Sequence, residues 1–262
     1  MFIPSLLENQ VVVVTGGGTG IGLAIAKRLG ELGARVAIAS RNAENLENGS
    51  ADLRHAGLDP LAVQLDVRNP EQVDEMVHRV VKHFGRIDIL INNAAGNFVC
   101  PAEDLSPNGW NAVIGIVLNG SFYCSRAVGR HMIARGGGGS IVSILANYVW
   151  TGSAGTIHSA AAKAGVMSMT QTLAVEWAKH RIRVNALAPG PVESPGAAKK
   201  LWDSPEAVQR ITDMVPLRRW GKPEEIADSV AFLVSPGAGF ITGEILTIDG
   251  GAWLSRGTYG FI

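Results

Sequence analysis

A glycine-rich segment near the amino terminus has the residue types and spacing of a phosphate-binding turn. It runs from residue 15 to residue 22 and reads TGGGTGIG. In such a turn Gly16 permits the tight bend, Gly20 lets the backbone approach a pyrophosphate, and Gly22 lets the helix pack close to the strand. The helix start then offers free N–H groups and a positive dipole end. The alternative is a glycine-rich turn without a ligand. The segment predicts a dinucleotide site that contains Gly16, Thr19, Gly20, Ile21 and Gly22.

The elements that would position this turn alternate between short apolar runs and longer amphipathic runs. Seven runs are predicted as strands: 11–15, 35–40, 61–66, 87–92, 141–145, 183–188 and 245–248. Helical patterns lie between them at about 21–32, 42–56, 70–84, 107–135 and 156–180. Strands that alternate with helices form right-handed βαβ units around a parallel sheet. We expect one doubly wound, Rossmann-like α/β domain over residues 1–262, with helices on both faces of the sheet.

The composition excludes several classes of protein. Apolar residues make up 47% of the 262 residues, which excludes disorder, and 23 basic residues balance 23 acidic ones. A neutral chain has no global electrostatic reason to bind nucleic acid or an anionic membrane. Its apolar runs are strand-length, whereas a spanning helix needs about 20 apolar residues. Cys100 and Cys124 make neither a disulfide framework nor a metal site. We expect an intracellular protein, and the absence of a transit-type segment favours the cytoplasm.

Three further short motifs each follow a predicted strand. They are NNAAG at 92–96, Pro189-Gly190, and DGG at 249–251. With the glycine turn they resemble the short-chain dehydrogenase/reductase family, from about residue 10 to residue 253. The resemblance implies a Rossmann-like fold, a nicotinamide cofactor and a homotetramer. The cofactor residues that it implies beyond the turn include Asn93, Ala94, Ala95, Pro189 and Gly190.

The end of the second predicted strand bears on which nicotinamide cofactor binds. A carboxylate there accepts hydrogen bonds from the ribose of NAD, but this chain reads Ala-Ser-Arg at 39–41. A guanidinium binds phosphate oxygens bidentately, which suits a 2′-phosphate. We therefore predict NADPH with Arg41 on that phosphate, the alternative being a solvated surface arginine. Asp66 and Val67 resemble the family's adenine-contacting pair, and Asp66 would also cap the segment that follows.

The candidate catalytic residues depart from the family's usual pattern. Most members carry Tyr-x-x-x-Lys on the helix after the fifth strand, and a Ser thirteen residues before that Tyr. Here Lys163 matches, but Ser159 holds the Tyr position and Ala146 the Ser position. A serine hydroxyl is a much weaker acid than a phenol, whose pKa is about 10, so Ser159 cannot replace Tyr as proton donor to an alkoxide. The departure argues against an ordinary ketone reductase.

A tyrosine lies three residues past the fifth predicted strand. Tyr148 would stand at the carboxyl end of the sheet, where open α/β sheets bind ligands. This displaced tyrosine, together with NNAAGNF at 92–98 and VLNG at 117–120, resembles the 2,4-dienoyl-CoA reductases. One local difference is Asn147, where the resemblance leads us to expect a small hydroxyl residue.

The resemblance implies that NADPH reduces a trans-2,4-dienoyl-CoA thioester to a 3-enoyl-CoA, an auxiliary step of unsaturated fatty acid β-oxidation. Hydride reaches the δ-carbon, charge moves to the thioester oxygen, and the α-carbon is protonated. Tyr148 and Asn97 are the implied donors to that oxyanion. Lys163 is implied to bind the nicotinamide ribose, and Ser159 to support the ribose, Lys163 or the substrate. Asn119 is implied to lie at a helix irregularity near Lys163.

Several of these side chains also have structural interpretations. Tyr148 could be a packed loop aromatic, Asn97 a turn cap, and Lys163 a solvated lysine. His158 is expected to be a loop or surface histidine without a catalytic role. The two cysteines are expected to be small buried residues.

An irregular stretch at about 190–216 is predicted to be a substrate lid. Around it, Leu201 and Trp202 either line an acyl pocket or pack the lid. The basic residues either meet CoA phosphates or form a solvated face; they are Lys199, Lys200, Arg218 and Arg219. Two alternative functions remain, namely another reductase of the family that acts on a 3-oxoacyl thioester or a sugar, and a non-catalytic NADP-binding protein.

Overall fold

Seven parallel strands form one sheet in the computed structural model, which describes residues 2–193 and 204–255. Within those residues the strands are β1 (Val11–Thr15), β2 (Arg35–Ser40), β3 (Leu61–Gln64), β4 (Ile89–Asn92), β5 (Gly139–Ile144), β6 (Ile182–Pro189) and β7 (Ile245–Ile248). Their order is β3-β2-β1-β4-β5-β6-β7, and every neighbouring pair is parallel. The Rossmann-like fold class predicted from the sequence is thereby confirmed.

Helices cover both faces of the sheet. They are α1 (Gly20–Glu31), α2 (Ala43–His55), α3 (Pro70–Phe84), α4 (Pro107–Ile114), α5 (Gly120–Arg135), α6 (Ile157–Trp177), α7 (Pro205–Asp213) and α8 (Pro223–Val234). Strand β1 is apolar at consecutive positions because both of its faces are buried. Val12 and Val14 pack into one core, and Val11 and Val13 pack into the other. The first core contains side chains of α1, α2 and α8, and the second contains side chains of α3 and α5.

The observed strand ends differ from the predicted ones by up to two residues. Strand β3 ends at Gln64 instead of Asp66, because the Asp66 N–H donates to the Gln72 side chain over 2.9 Å rather than to a neighbouring strand. Strand β4 begins at Ile89 instead of Ile87, whose N–H donates to His131 Nε2 over 3.2 Å. Strand β5 lies one or two residues earlier than predicted, and β6 is longer by one residue at each end.

The predicted helix 107–135 is one stretch with an irregular middle. A π-helical segment, Gly115–Asn119, separates α4 from α5. By length and composition alone Pro107–Arg135 could cross a membrane, although 44% of its most apolar window is buried inside the protein. Helix α5 packs against α3 and β4, which is the position of a core helix.

The predicted lid at about 190–216 is described only in part. Residues 194–203, with Lys199, Lys200, Leu201 and Trp202 among them, lie outside the described residues. Helix α7 follows, begins at a Ser204 cap that accepts from the Ala207 N–H, and was not predicted. Helix α8 was also missed, although Ile226, Val230 and Leu233 recur at helical spacing and are buried.

Candidate active site

A cleft of about 650 Å³ opens at the carboxyl end of the sheet. It lies beside the boundary between β1 and β4, where the strand order changes direction. Open α/β sheets usually bind their ligands at this point. All the predicted cofactor residues except Lys163 line it: Gly16, Thr19, Gly20, Ile21, Gly22, Arg41, Asp66, Val67, Asn93, Ala94, Ala95, Pro189 and Gly190. The wall also includes Asn97, Ile116, Ile144, Leu145 and Ala146.

The glycine turn has the geometry of an anion cradle. Gly20 has a φ of +53°, a left-handed value that favours glycine. A Cβ on Gly22 would lie 2.3 Å from the Gly16 carbonyl oxygen, so only glycine fits there. Helix α1 has no side-chain hydrogen bond at its Thr19 cap and no acidic residue in its first turn. Its first N–H groups therefore face the cleft uncompensated, which suits a pyrophosphate.

A side-chain bracket behind the turn was not singled out from the sequence. Thr15 Oγ1 donates to the Ile91 carbonyl and accepts from the N–H groups of Asn93 and Ala94, over 3.0 and 3.1 Å. In return, the Asn93 amide donates to the carbonyls of Thr15 and Gly16, over 3.0 and 3.2 Å. These bonds tie β1 to the loop after β4. A lone Thr at the end of a valine strand is the signal that could have suggested the bracket.

The far end of the cleft carries a positive side chain. Arg41 is exposed, and no described carboxylate lies within 4.0 Å of its guanidinium. Asp66 instead pairs with Arg68 over 2.5 Å, and this hydrogen bond holds the pKa of the Asp66 carboxyl below its usual range. Asp66 Oδ1 also accepts from the Arg68 N–H over 3.0 Å, so it caps its own turn as well as lining the cleft.

The structure brings the displaced tyrosine onto the first turn of α6. Tyr148 Oη lies 2.9 Å from Ser159 Oγ, within hydrogen-bond distance. Ser159 is only 2% exposed, and Tyr148 is half-buried. Burial raises the pKa of the Tyr148 phenol, and the hydrogen bond with Ser159 opposes that rise. Ser159 therefore contacts the Tyr148 hydroxyl. In sequence, Ser159 itself occupies the helix position at which the family resemblance leads one to expect a tyrosine.

Lys163 lies one turn further along α6. Its ammonium donates to the carbonyl of Ile144, a residue of the cleft wall. The side chain is 8% exposed, and burial lowers the pKa of Lys163 to about 8. The alternative of a solvated lysine is therefore wrong.

Asn97 and Asn119 occupy different surroundings. Asn97 lines the cleft, and its Oδ1 accepts from the Phe98 N–H over 2.9 Å, so it also shapes its own turn. Asn119 ends the π-helical segment as expected, but its side chain is exposed and is absent from the cleft wall formed by the described residues. Tyr148, Ser159 and Lys163 are likewise absent from that wall, and the π-helical segment that Asn119 ends packs against α6.

The expectation that His158 lies in a loop or at the surface is wrong. The residue is fully buried in the first turn of α6, where its Nδ1 accepts from the Ser159 N–H over 2.8 Å and its ring packs edge-on against Phe98. One free helix N–H is satisfied in this way. Among the cysteines, Cys124 is buried and Cys100 is half-buried.

Of the four basic residues named above for the CoA phosphates, Arg218 and Arg219 lie within the described residues, and both have acidic partners. Arg219 pairs with Glu225 over 2.6 Å, and Arg218 lies 3.6 Å from Asp213. Both are exposed, which fits the solvated-face alternative better than a preformed phosphate site.

Comparisons with known proteins show the family and the fold. Residues 16–252 match the family described as enoyl-(acyl carrier protein) reductase. A Bacillus subtilis protein named "Probable 2,4-dienoyl-CoA reductase", (2E)-enoyl-CoA-producing, is 51% identical over 250 residues, which cover 95% of this chain and 98% of that protein. The Danio rerio peroxisomal 2,4-dienoyl-CoA reductase, (3E)-enoyl-CoA-producing, is 41% identical over 97% of this chain and 85% of its own length. A Bacillus anthracis short chain dehydrogenase structure superposes with a TM-score of 0.88 at 50% identity, over 94% of this chain and 97% of that one.

Proposed function

We propose, for a chain that belongs to the short-chain dehydrogenase/reductase family, the NADPH-dependent reduction of trans-2,4-dienoyl-CoA thioesters to 3-enoyl-CoA. That the chain is an oxidoreductase follows from the family and from its named relatives. The observation that carries the finer proposal is the 2.9 Å contact between Tyr148 Oη and Ser159 Oγ. It puts a phenol from a loop beside the helix position where most family members carry their tyrosine.

The reaction needs an oxyanion site more than it needs a strong acid. When bound, the nicotinamide supplies a hydride, which adds to the δ-carbon of the dienoyl thioester. The electron pair of the γ,δ double bond then moves through the conjugated system to the thioester oxygen. Preorganised donors aimed at that oxygen lower the barrier, because they match charge that develops only in the transition state.

Tyr148 and Asn97 are the side chains that we assign to this oxyanion. The Tyr148 phenol is held by Ser159, and burial raises its pKa, so it stays protonated and donates a hydrogen bond at neutral pH. Asn97 lines the cleft with its carbonyl oxygen engaged by Phe98 N–H. With that oxygen engaged, the amide N–H groups of Asn97 are the donors that we assign to the ligand.

Lys163 is assigned to the nicotinamide ribose. Its contact with the Ile144 carbonyl places the ammonium behind the cleft wall. With a pKa of about 8 the lysine is mostly protonated at neutral pH, so it adds positive charge near the developing oxyanion. Ser159 supports this arrangement through Tyr148, and Asn119, at the end of the π-helical segment that packs against α6, is assigned to order water or Lys163.

The position of the final protonation decides the product. A proton on the α-carbon of the dienolate leaves a 3,4 double bond, and a proton on the γ-carbon leaves a 2,3 double bond. The named relatives include both outcomes, since the Bacillus subtilis protein is named as (2E)-enoyl-producing and the Danio rerio protein as (3E)-enoyl-producing. We propose the 3-enoyl product, because the Tyr148 phenol, held at the thioester oxygen, is closer to the α-carbon than to the γ-carbon and gives it a proton that solvent replaces.

The cofactor assignment rests on the end of β2. Arg41 lines the cleft without a carboxylate partner among the described residues, and Ser40 and Asn42 beside it carry no negative charge. A guanidinium in this place favours the 2′-phosphate of NADPH over the free ribose hydroxyl of NADH. A homotetramer and a cytoplasmic location stay predictions from the family resemblance and the sequence.

A parallel assay tests the proposal. Purified protein is given NADPH with a medium-chain trans-2,4-dienoyl-CoA, with a 3-oxoacyl-CoA in matched wells, and NADH replaces NADPH in a second set. We expect turnover on the dienoyl thioester alone, a preference for NADPH, and a 3-enoyl product by mass spectrometry and NMR. Turnover only on the ketone would overturn the site assignment. NADPH binding without turnover on either substrate would favour the non-catalytic alternative.

A further inference from the structure

Two loops at the carboxyl end of the sheet are joined by a buried side-chain hydrogen bond. Asn147 and Asp249 are each only 9% exposed, and the Asn147 amide nitrogen donates to Asp249 Oδ2 over 3.0 Å. Asn147 directly precedes Tyr148, and Asp249 directly follows β7. The bond therefore connects the tyrosine loop to a segment 102 residues further along the chain.

The Asp249 carboxylate is fixed by its own turn before it meets Asn147. Its Oδ1 accepts from the Gly251 N–H over 2.9 Å, and its Oδ2 accepts from the Trp253 N–H over 2.8 Å. A buried carboxylate is costly unless donors satisfy its oxygens, and Asn147 supplies the third donor. An amide thus fits this position for a specific reason, although the family resemblance leads one to expect a small hydroxyl residue there.

The same loop is held on its other sides. The Asn147 N–H donates to the Pro189 carbonyl at the end of β6 over 2.9 Å. The Trp150 ring stacks on Trp253, with 5.2 Å between centroids and 29° between planes. Contacts with β6 and with the turn after β7 therefore flank Tyr148 in sequence, while Ser159 holds its hydroxyl.

We propose that Asn147 is a positioning residue for Tyr148. Its bond to Asp249 makes the loop after β5 and the turn after β7 a single unit, and this unit sets where the Tyr148 hydroxyl lies. The role of the hydroxyl in catalysis rests on the proposed function, whereas the placement of the side chain does not. Asn147 and Tyr148 both lie outside the cleft wall that carries the predicted cofactor residues, so loss of the Asn147 side chain should lower turnover through Tyr148 and leave cofactor binding unchanged.

The first test compares two buried asparagines. Asn147→Ala should lower kcat about 10-fold to 100-fold with an unchanged Kd for NADPH, because small displacements of a catalytic group are costly. Asn185→Ala is the matched control, since Asn185 is fully buried on β6 and bonds the backbone at Ile241 and Glu244. The control should lose thermal stability without a comparable fall in kcat. Equal falls in kcat for the two variants would overturn the proposal.

A second test uses rescue. Asn147→Asp replaces the amide donor with a second carboxylate against Asp249, so kcat should be low. Combining Asn147→Asp with Asp249→Asn restores a donor and an acceptor, and should recover kcat relative to either single variant. A swapped pair with a kcat no higher than that of either single variant would overturn the positioning role.

A readout independent of activity separates this proposal from the proposed function. The protein has three tyrosines, so fluorotyrosine NMR with Tyr148→Phe as the assignment control reports on residue 148 alone. The Tyr148 resonance should shift in Asn147→Ala and return in the swapped pair, even if the wild-type protein reduces no dienoyl thioester. An unmoved resonance in Asn147→Ala would contradict the positioning role, whatever the substrate.

Discussion

The proposed cofactor side and the proposed catalytic side of the site position their groups by different means. The cofactor side comprises the glycine turn 15–22 and the ends of β2, β3 and β4, and it presents mostly backbone. There the absence of side chains matters, as at Gly22, where a Cβ would lie 2.3 Å from a carbonyl oxygen. The catalytic side comprises the loop 145–153 after β5, the start of α6 and the turn 249–253 after β7. It depends on side-chain hydrogen bonds such as those of Tyr148 and Asn147.

This difference implies that substitutions on the two sides should alter different quantities. Changes on the cofactor side should raise the Kd for NADPH, since they remove contacts that the bound cofactor makes in the ground state and the transition state alike. Changes on the catalytic side should lower kcat, since their contacts gain strength only as charge reaches the thioester oxygen. A variant that altered both quantities equally would break the comparison.

The largest expected effect is that of Tyr148→Phe on the catalytic side. Removal of one oxyanion donor should lower kcat about 10²-fold to 10³-fold, with the Kd for NADPH unchanged. Steady-state kinetics and fluorescence titration measure the two quantities. Tyr123→Phe, at a half-buried tyrosine on α5, is the matched control and should keep wild-type turnover. A Tyr148→Phe enzyme with normal kcat would remove the phenol from the mechanism.

The buried ammonium of Lys163 gives a pH-dependent prediction. Burial lowers the Lys163 pKa from 10.5 to about 8, so the folded state binds the proton more weakly than the unfolded state does. The stability of the cofactor-free protein should therefore carry a penalty of about 3 kcal/mol at pH 7, which fades as pH rises from about 8 to 10.5. Lys163→Met lacks this penalty. Its advantage in free energy of unfolding should be greatest below pH 8 and shrink above it.

Chemical denaturation of both proteins at a series of pH values measures that difference. Lys82→Met is the control, because Lys82 is exposed at the end of α3. A pH-independent difference between wild type and Lys163→Met would show that the lysine does not titrate as its burial requires.

A smaller effect is expected for Gly22→Ala on the cofactor side. The added methyl must displace the Gly16 carbonyl or the Asn93 amide, at a cost of about 2 kcal/mol, which corresponds to roughly a 30-fold rise in the Kd for NADPH. Gly30→Ala on the same helix is the control, because its Cβ would meet only the flexible Leu58 side chain. Isothermal titration calorimetry compares the two. Equal NADPH affinities would mean that the glycine turn does not hold the pyrophosphate.

The smallest effect should come from Arg41→Ala. Loss of a charge-assisted contact to the 2′-phosphate should raise the Kd for NADPH about 10-fold and leave NADH binding unchanged. Titration with both cofactors tests this directly. A parallel loss for NADH would make Arg41 a general contributor to the cleft rather than the residue that selects the phosphate.

The sequence signals on the proposed cofactor side are more local than those on the proposed catalytic side. The glycine turn and the strand that precedes it are local signals, so their spacing can be read from consecutive residues. The Thr15–Asn93 bracket was missed because it joins residues 78 positions apart, and the Asn147–Asp249 bond was missed because it joins residues 102 apart. Neither pair has a periodic pattern that marks it.

Burial was the other property that the sequence hid. His158 follows an exposed Ile157 in a segment that lacks a hydrophobic period, and the expectation of a surface histidine was wrong. Asn119 shows the converse, since its predicted place at the helix irregularity holds while its side chain is exposed. For His158 the contact of α6 with Phe98 in the loop after β4 is part of what buries the ring, and that contact is not local in sequence.

In the proposed reaction, hydride reaches the δ-carbon of a dienoyl thioester. The most direct test supplies NADPH deuterated at C4, in its two stereochemical forms separately, with trans-2,4-dienoyl-CoA and locates the label by NMR and mass spectrometry. One form should place a single deuterium on the δ-carbon of an enoyl-CoA, at a rate that falls in Tyr148→Phe. Deuterium on the β-carbon, or label found only in a hydroxyacyl product from a 3-oxoacyl thioester, would contradict the account.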